Sequence, residues 1–302
     1  MPELPEVQTV VEDLKAKVIG RKIVDVWLDT PKIIKKPQSG KFQRNIKGLK
    51  IADIKRRGKN ILIYLINDQQ QINNDFLLLI HQKMTGHLLY GKWRVKKVLN
   101  HKFQVVSLIN GPLQEKVNNY IHLIFYFDNN WQLALSDLRK FAKILFGRKE
   151  EIENLPDLKK LGPEPFDKSL TFQKFKSLIN QEKRKIKQVL MDQEVIVGIG
   201  NIYSDEILWQ VKINPFIQAD KLKDNQLEAI YSAMIQILKK AVKLRGTSIS
   251  DFRDTSGKVG FYGEIRKVYA REGEKCPRCG KAIQRVKIGG RSAHYCPKCQ
   301  KV

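Results

Sequence analysis

Cys276-Pro-Arg-Cys279 and Cys296-Pro-Lys-Cys299 stand sixteen residues apart near the end of the sequence, and they contain every cysteine of the chain. The disulfides of a secreted protein would be spread more widely. Two Cys-x-x-Cys turns instead place four thiolates around one tetrahedral zinc ion, with no ligand position left open for a catalytic water. The spacing therefore predicts one structural Zn²⁺ bound by all four cysteines, and reduced free thiols are the alternative.

The charge of this cysteine module points to a polyanion. From Cys276 onward it has seven Lys and Arg residues and no Asp or Glu, which suits a hairpin that contacts phosphates. The whole chain has 56 Lys+Arg against 31 Asp+Glu, a formal net charge of +25, and nucleic acid is the commonest polyanion of the cytoplasm. The alternatives are a zinc ribbon that contacts proteins and a lysine excess that only follows composition.

Between about residue 150 and the cysteines, the apolar residues repeat with a helical period. The basic run Lys183-Arg184-Lys185-Ile186-Lys187 leads into one predicted helix, and Gly198-Ile199-Gly200-Asn201 opens the next. Two glycines before a helix N-terminus let backbone N–H groups approach a phosphate, and the Asn201 side chain can join them. Helices are predicted near 170–181, 186–192, 201–211 and 224–244.

The preceding half has a strand pattern from about residue 22 to 147. β-Branched and aromatic residues dominate short runs between turn residues, which predicts a β-sandwich or barrel. An amphipathic helix precedes them, with apolar residues from Val7 to Val18 and Gly20 as its stop. The stretches Gln69–Asp75 and about 91–118 are predicted to be loop insertions, and the second is basic. The clearest strands are Lys22–Leu28, Ile61–Ile66, Phe76–His81, Tyr120–Phe127 and Trp131–Leu135.

These patterns predict an α+β chain of ordinary size for two domains and a small module. A β-rich domain covers 1–150, a helical domain 151–265, and the zinc-finger module 266–302. No run approaches the ~20 continuous apolar residues of a membrane span, and acidic residues interrupt the N-terminal segment where a signal peptide would be apolar. A cytoplasmic protein without membrane contact is expected.

The N-terminal sequence Met1-Pro2-Glu3-Leu4-Pro5-Glu6 contains groups suited to nucleophilic catalysis. Removal of Met1 would leave Pro2 with a free secondary amine, and an α-amino group titrates near about 7.7–8.0, so a useful fraction is uncharged. Attack of a secondary amine on a sugar C1′ yields an iminium ion, which is an electron sink for eliminating phosphate. Nearby carboxylates can carry the proton transfers. The plain alternative is that proline and glutamate are ordinary residues at a helix start.

Several motifs occur together and in a fixed order: MPELPEV at 1–7, RRGK at 56–59, DLRKF at 137–141, LGPEP at 161–165, GIGNIYSDE at 198–206 and the cysteine pairs. In these the sequence resembles the bacterial formamidopyrimidine-DNA glycosylases (8-oxoguanine DNA glycosylases/AP lyases) over essentially the whole chain. The resemblance implies an N-terminal β-sandwich, a helix–two-turn–helix domain and a zinc-finger hairpin. It also implies a base-excision-repair enzyme that removes oxidised purines from duplex DNA and then cuts the strand by β,δ-elimination.

The resemblance assigns roles to five residues of the reaction centre. Pro2 would be the nucleophile that forms the Schiff base, and Glu3 would be the general acid/base that protonates the deoxyribose ring oxygen. Glu6 would support this carboxylate and the helix start. Lys59 would lie near the sugar and assist β-elimination, and Arg291, in the turn of the finger, would grip phosphate at the lesion.

The resemblance also assigns residues that handle the DNA, because a glycosylase must flip its nucleotide out of the stack and fill the gap. Met84 would be an apolar wedge, and Arg139 and Phe141 would face the orphaned base. The remaining implied contacts are to phosphates and to the flipped base. They are Lys183, Lys187 and Asn201 for phosphates, and Ser248 in the loop that would close over the base.

Two DNA-contact positions depart from the family pattern. Tyr120, in Asn119-Tyr120-Ile121-His122, stands where Lys-His-Asp-His is common. Lys140 replaces an arginine, so a bidentate grip on phosphate is weakened there. Neither departure touches Pro2, Glu3 or Lys59.

Two rival functions stay open. One is an endonuclease VIII-like glycosylase for oxidised pyrimidines, and the other is a catalytically inactive DNA-binding homologue. Leu4 in the N-terminal motif, the NIYSDE string and Met84 favour the purine branch. The intact set of Pro2, Glu3 and Lys59 argues against an inactive homologue. A monomer is expected, because flipping one base needs one active site.

Overall fold

The computed structural model describes residues 1–67, 75–98, 103–249 and 251–301. Contacts divide the chain into two units: Met1–Pro2, Glu6–Lys159 and Arg245–Phe261 form the first, and Glu3–Pro5, Lys160–Leu244 and Tyr262–Val302 form the second. The segment 245–261, which the sequence analysis placed in the helical domain, thus packs within the first unit. The boundaries at 150 and 265 stay predictions.

Eleven strands are described in the first unit. They are β1 (Ile23–Leu28), β2 (Ile34–Lys36), β3 (Lys50–Arg57), β4 (Asn60–Ile66), β5 (Phe76–His81), β6 (Gly86–Gly91), β7 (Trp93–Lys97), β8 (Phe103–Ser107), β9 (Ile121–Phe127), β10 (Gln132–Asp137) and β11 (Lys143–Arg148). One sheet has the strand order β1-β9-β10-β6, and the other has the order β2-β11-β5-β4-β3. Four helices accompany them: α1 (Leu4–Val18), α2 (Ser39–Ile46), α3 (Lys149–Glu153) and α4 (Pro156–Lys159).

The core of the first unit is built from strand side chains that point alternately to the two faces of a sheet. In β9, Leu123, Phe125 and Phe127 point into the main core, where they meet the apolar stripe of α1. The opposite face of β9 contributes Ile124 to a second, smaller cluster. Because both faces of β9 are covered, its sequence IHLIFYF is a nearly continuous apolar run.

The smaller cluster exists because of a hairpin that the sequence analysis did not foresee. The stretch 91–118 was predicted to be a loop insertion, and that prediction is wrong for its described part. Strands β7 and β8 pair antiparallel from Trp93↔Ser107 to Lys97↔Phe103, and two 3₁₀ turns follow, Pro112–Gln114 and Lys116–Asn118. The alternation of Trp93, Arg94, Val95 and Lys96 is itself a strand signal, and the prediction gave more weight to the basic charge of the stretch. Most of the other predicted insertion, Gln69–Asp75, lies outside the described residues.

The second unit is helical, with a hairpin at its C-terminal end. Its elements are α5 (Phe172–Asn180), α6 (Ile186–Met191), α7 (Asn201–Gln210), α8 (Asp224–Lys243), α9 (Tyr262–Ile265), β12 (Gln284–Ile288) and β13 (Arg291–Tyr295). Apolar faces of α5 to α8 share one core, and the Thr171 hydroxyl caps α5 by accepting the Lys174 N–H. No helix among the described residues is long and apolar enough to span a membrane.

Candidate active site and nucleic-acid interface

Glu3 lies at the N-terminus of α7, although 197 residues separate it from Gly200. Its buried carboxylate accepts the backbone N–H of Gly200 (2.7 Å) on Oε2 and that of Ile202 (2.8 Å) on Oε1. The positive end of the helix dipole favours a carboxylate there. A Cβ at Gly200 would lie 2.6 Å from Glu3 Oε1, so glycine leaves room for this group. The N–H groups that the sequence analysis assigned to a phosphate bind Glu3 instead.

Pro2 and Lys59 both belong to the first unit, and both are buried. Pro2 lies two residues before the start of α1. Lys59 follows Gly58, whose φ of +58° allows the tight turn between β3 and β4. An ammonium group at a strand start is usually solvated, so the burial of Lys59 separates it from ordinary surface lysines.

His81, at the end of β5, is a further residue of interest that the sequence analysis missed. It stands opposite Asn60 in the β4–β5 register. Burial and the positive charges of Lys83 and Lys59 lower the pKa of His81 to about 3. The imidazole is therefore neutral at physiological pH, and its Nδ1 accepts the Lys83 N–H (2.9 Å). Its only signal in the sequence was its place directly before the turn that carries Met84.

Glu6 supports a loop of the first unit. Its buried carboxylate accepts the Thr247 N–H through Oε1 (2.7 Å), and a Cβ at Gly246 would lie 2.8 Å from it. Arg245, next along the loop, donates to Asp13 and Asp254, each at 2.7 Å. Glu6 is thus a positioning group for the start of the 245–261 loop.

Met84, Arg139 and Phe141 come together at the surface of the first unit. Arg139 Nη1 donates to Met84 Sδ (3.1 Å), and its guanidinium lies 4.5 Å from the centre of the Phe141 ring. Met84 is 40% exposed and Phe141 49% exposed. Large apolar side chains left in solvent beside an arginine mark a surface that binds a partner. The three predicted gap-filling residues form one cluster, which we call the wedge.

Asp137 organises the wedge, a role that its place in the DLRKF motif does not reveal. Its carboxylate is buried and accepts the Thr85 hydroxyl on Oδ1 and the Ala142 N–H on Oδ2 (2.7 Å). The Thr85 hydroxyl in turn accepts the Arg139 N–H (3.1 Å). One carboxylate therefore ties the β5–β6 turn to the β10–β11 turn.

Three further predicted DNA contacts lie in the first unit. Lys140 is exposed, with a left-handed φ of +56° in the β10–β11 turn. Tyr120 is half-buried, and its carbonyl accepts the Asp137 N–H (2.8 Å). The Ser248 hydroxyl donates to the Phe252 carbonyl (2.7 Å) and accepts the Gly260 N–H (2.8 Å), so it closes its own loop in this conformation.

Lys187 does not lie where the sequence analysis expected it. Its side chain is fully buried, its ammonium pairs with Asp205 Oδ1, and it donates to the Ser204 hydroxyl (3.2 Å). Asp205 Oδ2 also accepts the backbone N–H of His294 (2.9 Å) on β13. A direct contact between Lys187 and phosphate is therefore corrected to an internal ion pair that joins α6, α7 and the hairpin. Lys183, by contrast, is exposed just before α6.

Arg291 opens β13 after Gly289 and Gly290, whose positive φ values of +54° and +77° make a tight hairpin turn. Its side chain is exposed and shares a cavity of about 250 Å³ with Arg184 and Gln188 of the α6 region. The Arg184 guanidinium pairs with Glu182 (2.6 Å) and with Asp192 (2.7 Å), which also lines the cavity, so Arg291 is the guanidinium that suits a phosphate here. Asn201, the first residue of α7, is half-buried, and its amide oxygen has no hydrogen-bond partner among the described residues.

The four cysteines at the base of the β12–β13 hairpin meet the requirements of zinc. Their Sγ atoms all lie within 4.8 Å of one another, and those of Cys279 and Cys296 are 3.4 Å apart. Tetrahedral Zn–S bonds of about 2.3 Å separate the sulfurs by about 3.8 Å. Trp209 Nε1 donates to Cys276 Sγ (3.5 Å), as an outer group commonly does to a metal-bound thiolate.

Comparison with known proteins identifies the family of the chain. The family model for the formamidopyrimidine-DNA glycosylase N-terminal domain matches residues 1–144, and the model for the helix–two-turn–helix domain of the same enzymes matches residues 161–253. The chain belongs to the formamidopyrimidine-DNA glycosylase family. A third model, for the zinc finger found in these glycosylases and in IleRS, matches residues 273–302. The cysteine cluster of this family member is therefore the site of one structural zinc, as predicted.

Full-length relatives support the same placement. The formamidopyrimidine-DNA glycosylase of Pelotomaculum thermopropionicum is 37% identical, with complete coverage of both chains. A variant of the Lactococcus lactis protein solved with DNA containing Fapy-dG superposes with a TM-score of 0.83 at 31% identity and complete coverage of both chains. The Lactococcus lactis protein solved with DNA containing an abasic site gives 0.82 at 32% identity, with 99% and 100% coverage. The predicted family and α+β fold class are confirmed.

Proposed function

We propose that this glycosylase family member excises 8-oxoguanine and formamidopyrimidines from duplex DNA and then cleaves the strand as an AP lyase by β,δ-elimination. The observation that carries the proposal is the placement of Glu3. A buried carboxylate, adjacent along the chain to Pro2, is held on both oxygens by backbone N–H groups of α7. A carboxylate with no freedom to rotate suits directed proton transfer to one atom.

The proposed reaction begins at the nitrogen of Pro2 after removal of Met1. The Glu3 carboxylate takes the proton of the proline ammonium, and the neutral amine attacks C1′ of the damaged nucleotide. The bond between C1′ and the base breaks, and the electron pair leaves with the base. The second proton of the proline nitrogen goes to the departing base, Glu3 returns its proton to the ring oxygen as the sugar opens, and the nitrogen lone pair completes a cationic iminium (Schiff base) between Pro2 and C1′.

Strand cleavage then follows from the acidity of the proton at C2′ in the Schiff base. Loss of this proton expels the 3′ phosphate, and a second elimination expels the 5′ phosphate. Lys59, buried in the first unit, supplies positive charge near the sugar. Arg291, exposed on the finger turn, neutralises a departing phosphate.

The wedge fills the gap that the flipped nucleotide leaves. Met84 supplies a flexible apolar side chain, and the Arg139–Phe141 pair faces the unpaired partner base with a cationic and an aromatic surface. Lys183, Asn201, Lys140 and Tyr120 are proposed as backbone contacts, and Ser248 as a group near the flipped base. The protein is proposed to act as a cytoplasmic monomer.

The test is borohydride trapping with a duplex that contains 8-oxoguanine opposite cytosine, followed by mass mapping of the peptides. A covalent adduct at Pro2 is expected. A parallel duplex with an oxidised pyrimidine is the control. Trapping with the pyrimidine lesion alone would favour the endonuclease VIII-like alternative, and tight binding without any adduct, with Met1 removal verified, would favour the inactive homologue.

A further inference from the structure

The β7–β8 hairpin presents a basic face to solvent. Lys92, Arg94 and Lys96 alternate with the inward residues Trp93 and Val95, so all three cations lie on the outer face. Neighbouring cations on this face are about 7 Å apart along the strand, which is comparable to the spacing of successive phosphates on one nucleic-acid strand. We call Lys92, Arg94 and Lys96 the basic ribbon.

The hairpin is firmly attached to the sheet beneath it. Trp93 is buried, and its backbone N–H donates to Gln132 Oε1 (2.6 Å). Val95 and Val105 pack on the small apolar cluster over β9 and β10, and Phe103 meets Trp27 edge-to-face with ring centres 5.6 Å apart. A fixed ribbon loses little conformational entropy on binding, so its cations are preorganised to bind a ligand.

The charge of the ribbon is not neutralised locally. The sequence from 91 to 110 has five Lys and Arg residues and no Asp or Glu, and within the described part of the chain neither Arg94 nor Lys96 pairs with an acid. Lys92 lies 5.4 Å over the ring of Trp131. That ring stacks on Tyr90 with centres 4.9 Å apart, and Lys17 lies 5.7 Å over Tyr90. The stacked rings thus hold the ammonium group of Lys92 and place one more, that of Lys17, beside the ribbon.

The ribbon and the wedge lie at opposite ends of one strand pair. Asp137↔Gly86 closes the β6–β10 pairing beside the wedge, and Gln132↔Gly91 closes it beside the ribbon. Five residue steps along either strand separate the two ends by about 17 Å. The lesion of a duplex bound at the wedge therefore lies about 17 Å from the ribbon, and the affinity for a short duplex decides whether flanking phosphates of that same duplex reach the ribbon.

We infer that the basic ribbon binds the phosphate backbone of a second nucleic-acid segment, independent of sequence, while the wedge engages the first. The inference rests on the proposed function only in that the wedge binds DNA. A protein with two such sites can pass directly from one DNA segment to another without free diffusion. The contact has the character of non-specific binding, in which affinity comes from phosphate neutralisation and falls with salt.

The test measures transfer between segments with the double variant R94A/K96A. A fluorescent short duplex with an abasic-site analogue is bound first, and its release is followed as unlabelled duplex is added. Release from the wild-type protein is expected to accelerate in proportion to competitor concentration, because a ternary complex forms. In the variant the acceleration is lost. Because two phosphate contacts are missing, the slope of the logarithm of the binding constant for the second segment against the logarithm of salt concentration is smaller in magnitude by about 2.

The matched control is K239A/K240A, which removes two exposed lysines from α8 and should transfer like the wild type. Affinity of R94A/K96A for the short duplex should stay within about twofold of the wild type, because two lost phosphate contacts there would change it far more. Transfer that persists in R94A/K96A overturns the inference. An equal loss of short-duplex affinity also overturns it, since the ribbon would then belong to the primary DNA contact. Failure of the glycosylase proposal would appear separately, as no preference for the abasic-site analogue over undamaged duplex.

Discussion

Replacing Gly200 by alanine tests whether the placement of Glu3 governs catalysis. The new Cβ would lie 2.5 Å from the Glu3 carboxyl carbon, whereas ordinary contacts begin at 3.4 Å. The carboxylate must therefore retreat by about 0.9 Å, and a displacement of about 1 Å at a reacting group costs on the order of 10²-fold in rate. The φ of Gly200 is −136°, so alanine adds no backbone strain and the effect is purely steric.

The same substitution has a bounded effect on stability. The hydrogen bonds from Gly200 and Ile202 to Glu3 are charge-assisted, and weakening them costs about 1.5–3 kcal/mol. Removal of a glycine from the unfolded chain returns about 0.4–1 kcal/mol. A net loss of about 1–2 kcal/mol in the free energy of unfolding is expected, which leaves the protein folded.

Single-turnover excision and denaturant unfolding measure the two effects. Gly40→Ala is the matched control, because its Cβ would meet only the flexible end of Arg44 at 3.6 Å and should leave the excision rate unchanged. A Gly200→Ala protein that is folded and excises at the wild-type rate would refute the role of Glu3 as a precisely held proton carrier.

The remaining predictions concern the nucleophile, the metal and the half-buried His81. Pro2→Gly should remove most strand cleavage while duplex binding stays largely intact, as measured by gel assay and anisotropy; unchanged cleavage would exclude Pro2 as the nucleophile. Cys279→Ser should release zinc and weaken DNA binding, and full binding by a protein shown to be zinc-free would contradict a structural metal. Because the pKa of His81 is lowered to about 3 in the folded state and is about 6.5 when unfolded, the unfolded chain binds the extra proton first as pH falls. The free energy of unfolding should therefore fall between about pH 6.5 and 3, by about 2 kcal/mol at pH 5. The substitution His81→Gln should flatten the plot of urea midpoint against pH over this range. An unchanged plot would mean that other groups cause the loss of stability.

Elements with strong local patterns were predicted closely. Strand β5 was predicted at Phe76–His81 and lies there, and α6 differs from its prediction by one residue at its end. The β7–β8 hairpin was missed because the basic charge of the stretch was taken to indicate a loop, although its residues alternate with the period of a strand. The wedge residues were found through their motifs, whereas Asp137, which holds the two wedge turns together, became visible only through its hydrogen bonds.

The sequence by itself determined the features that depend on neighbours along the chain. Four cysteines in two close pairs specify a zinc site, the period of the apolar residues separates a β-rich half from a helical half, and the motifs identify the family. Tertiary structure decided which polar groups meet across long separations. Glu3 takes the N–H groups of Gly200 and Ile202 from 197 and 199 residues away, and Lys187 is buried against Asp205 rather than exposed to phosphate. The residue type of a lysine or glutamate does not reveal whether it lies on the surface or in the interior. Only the packing of distant segments determines its solvation and its partner.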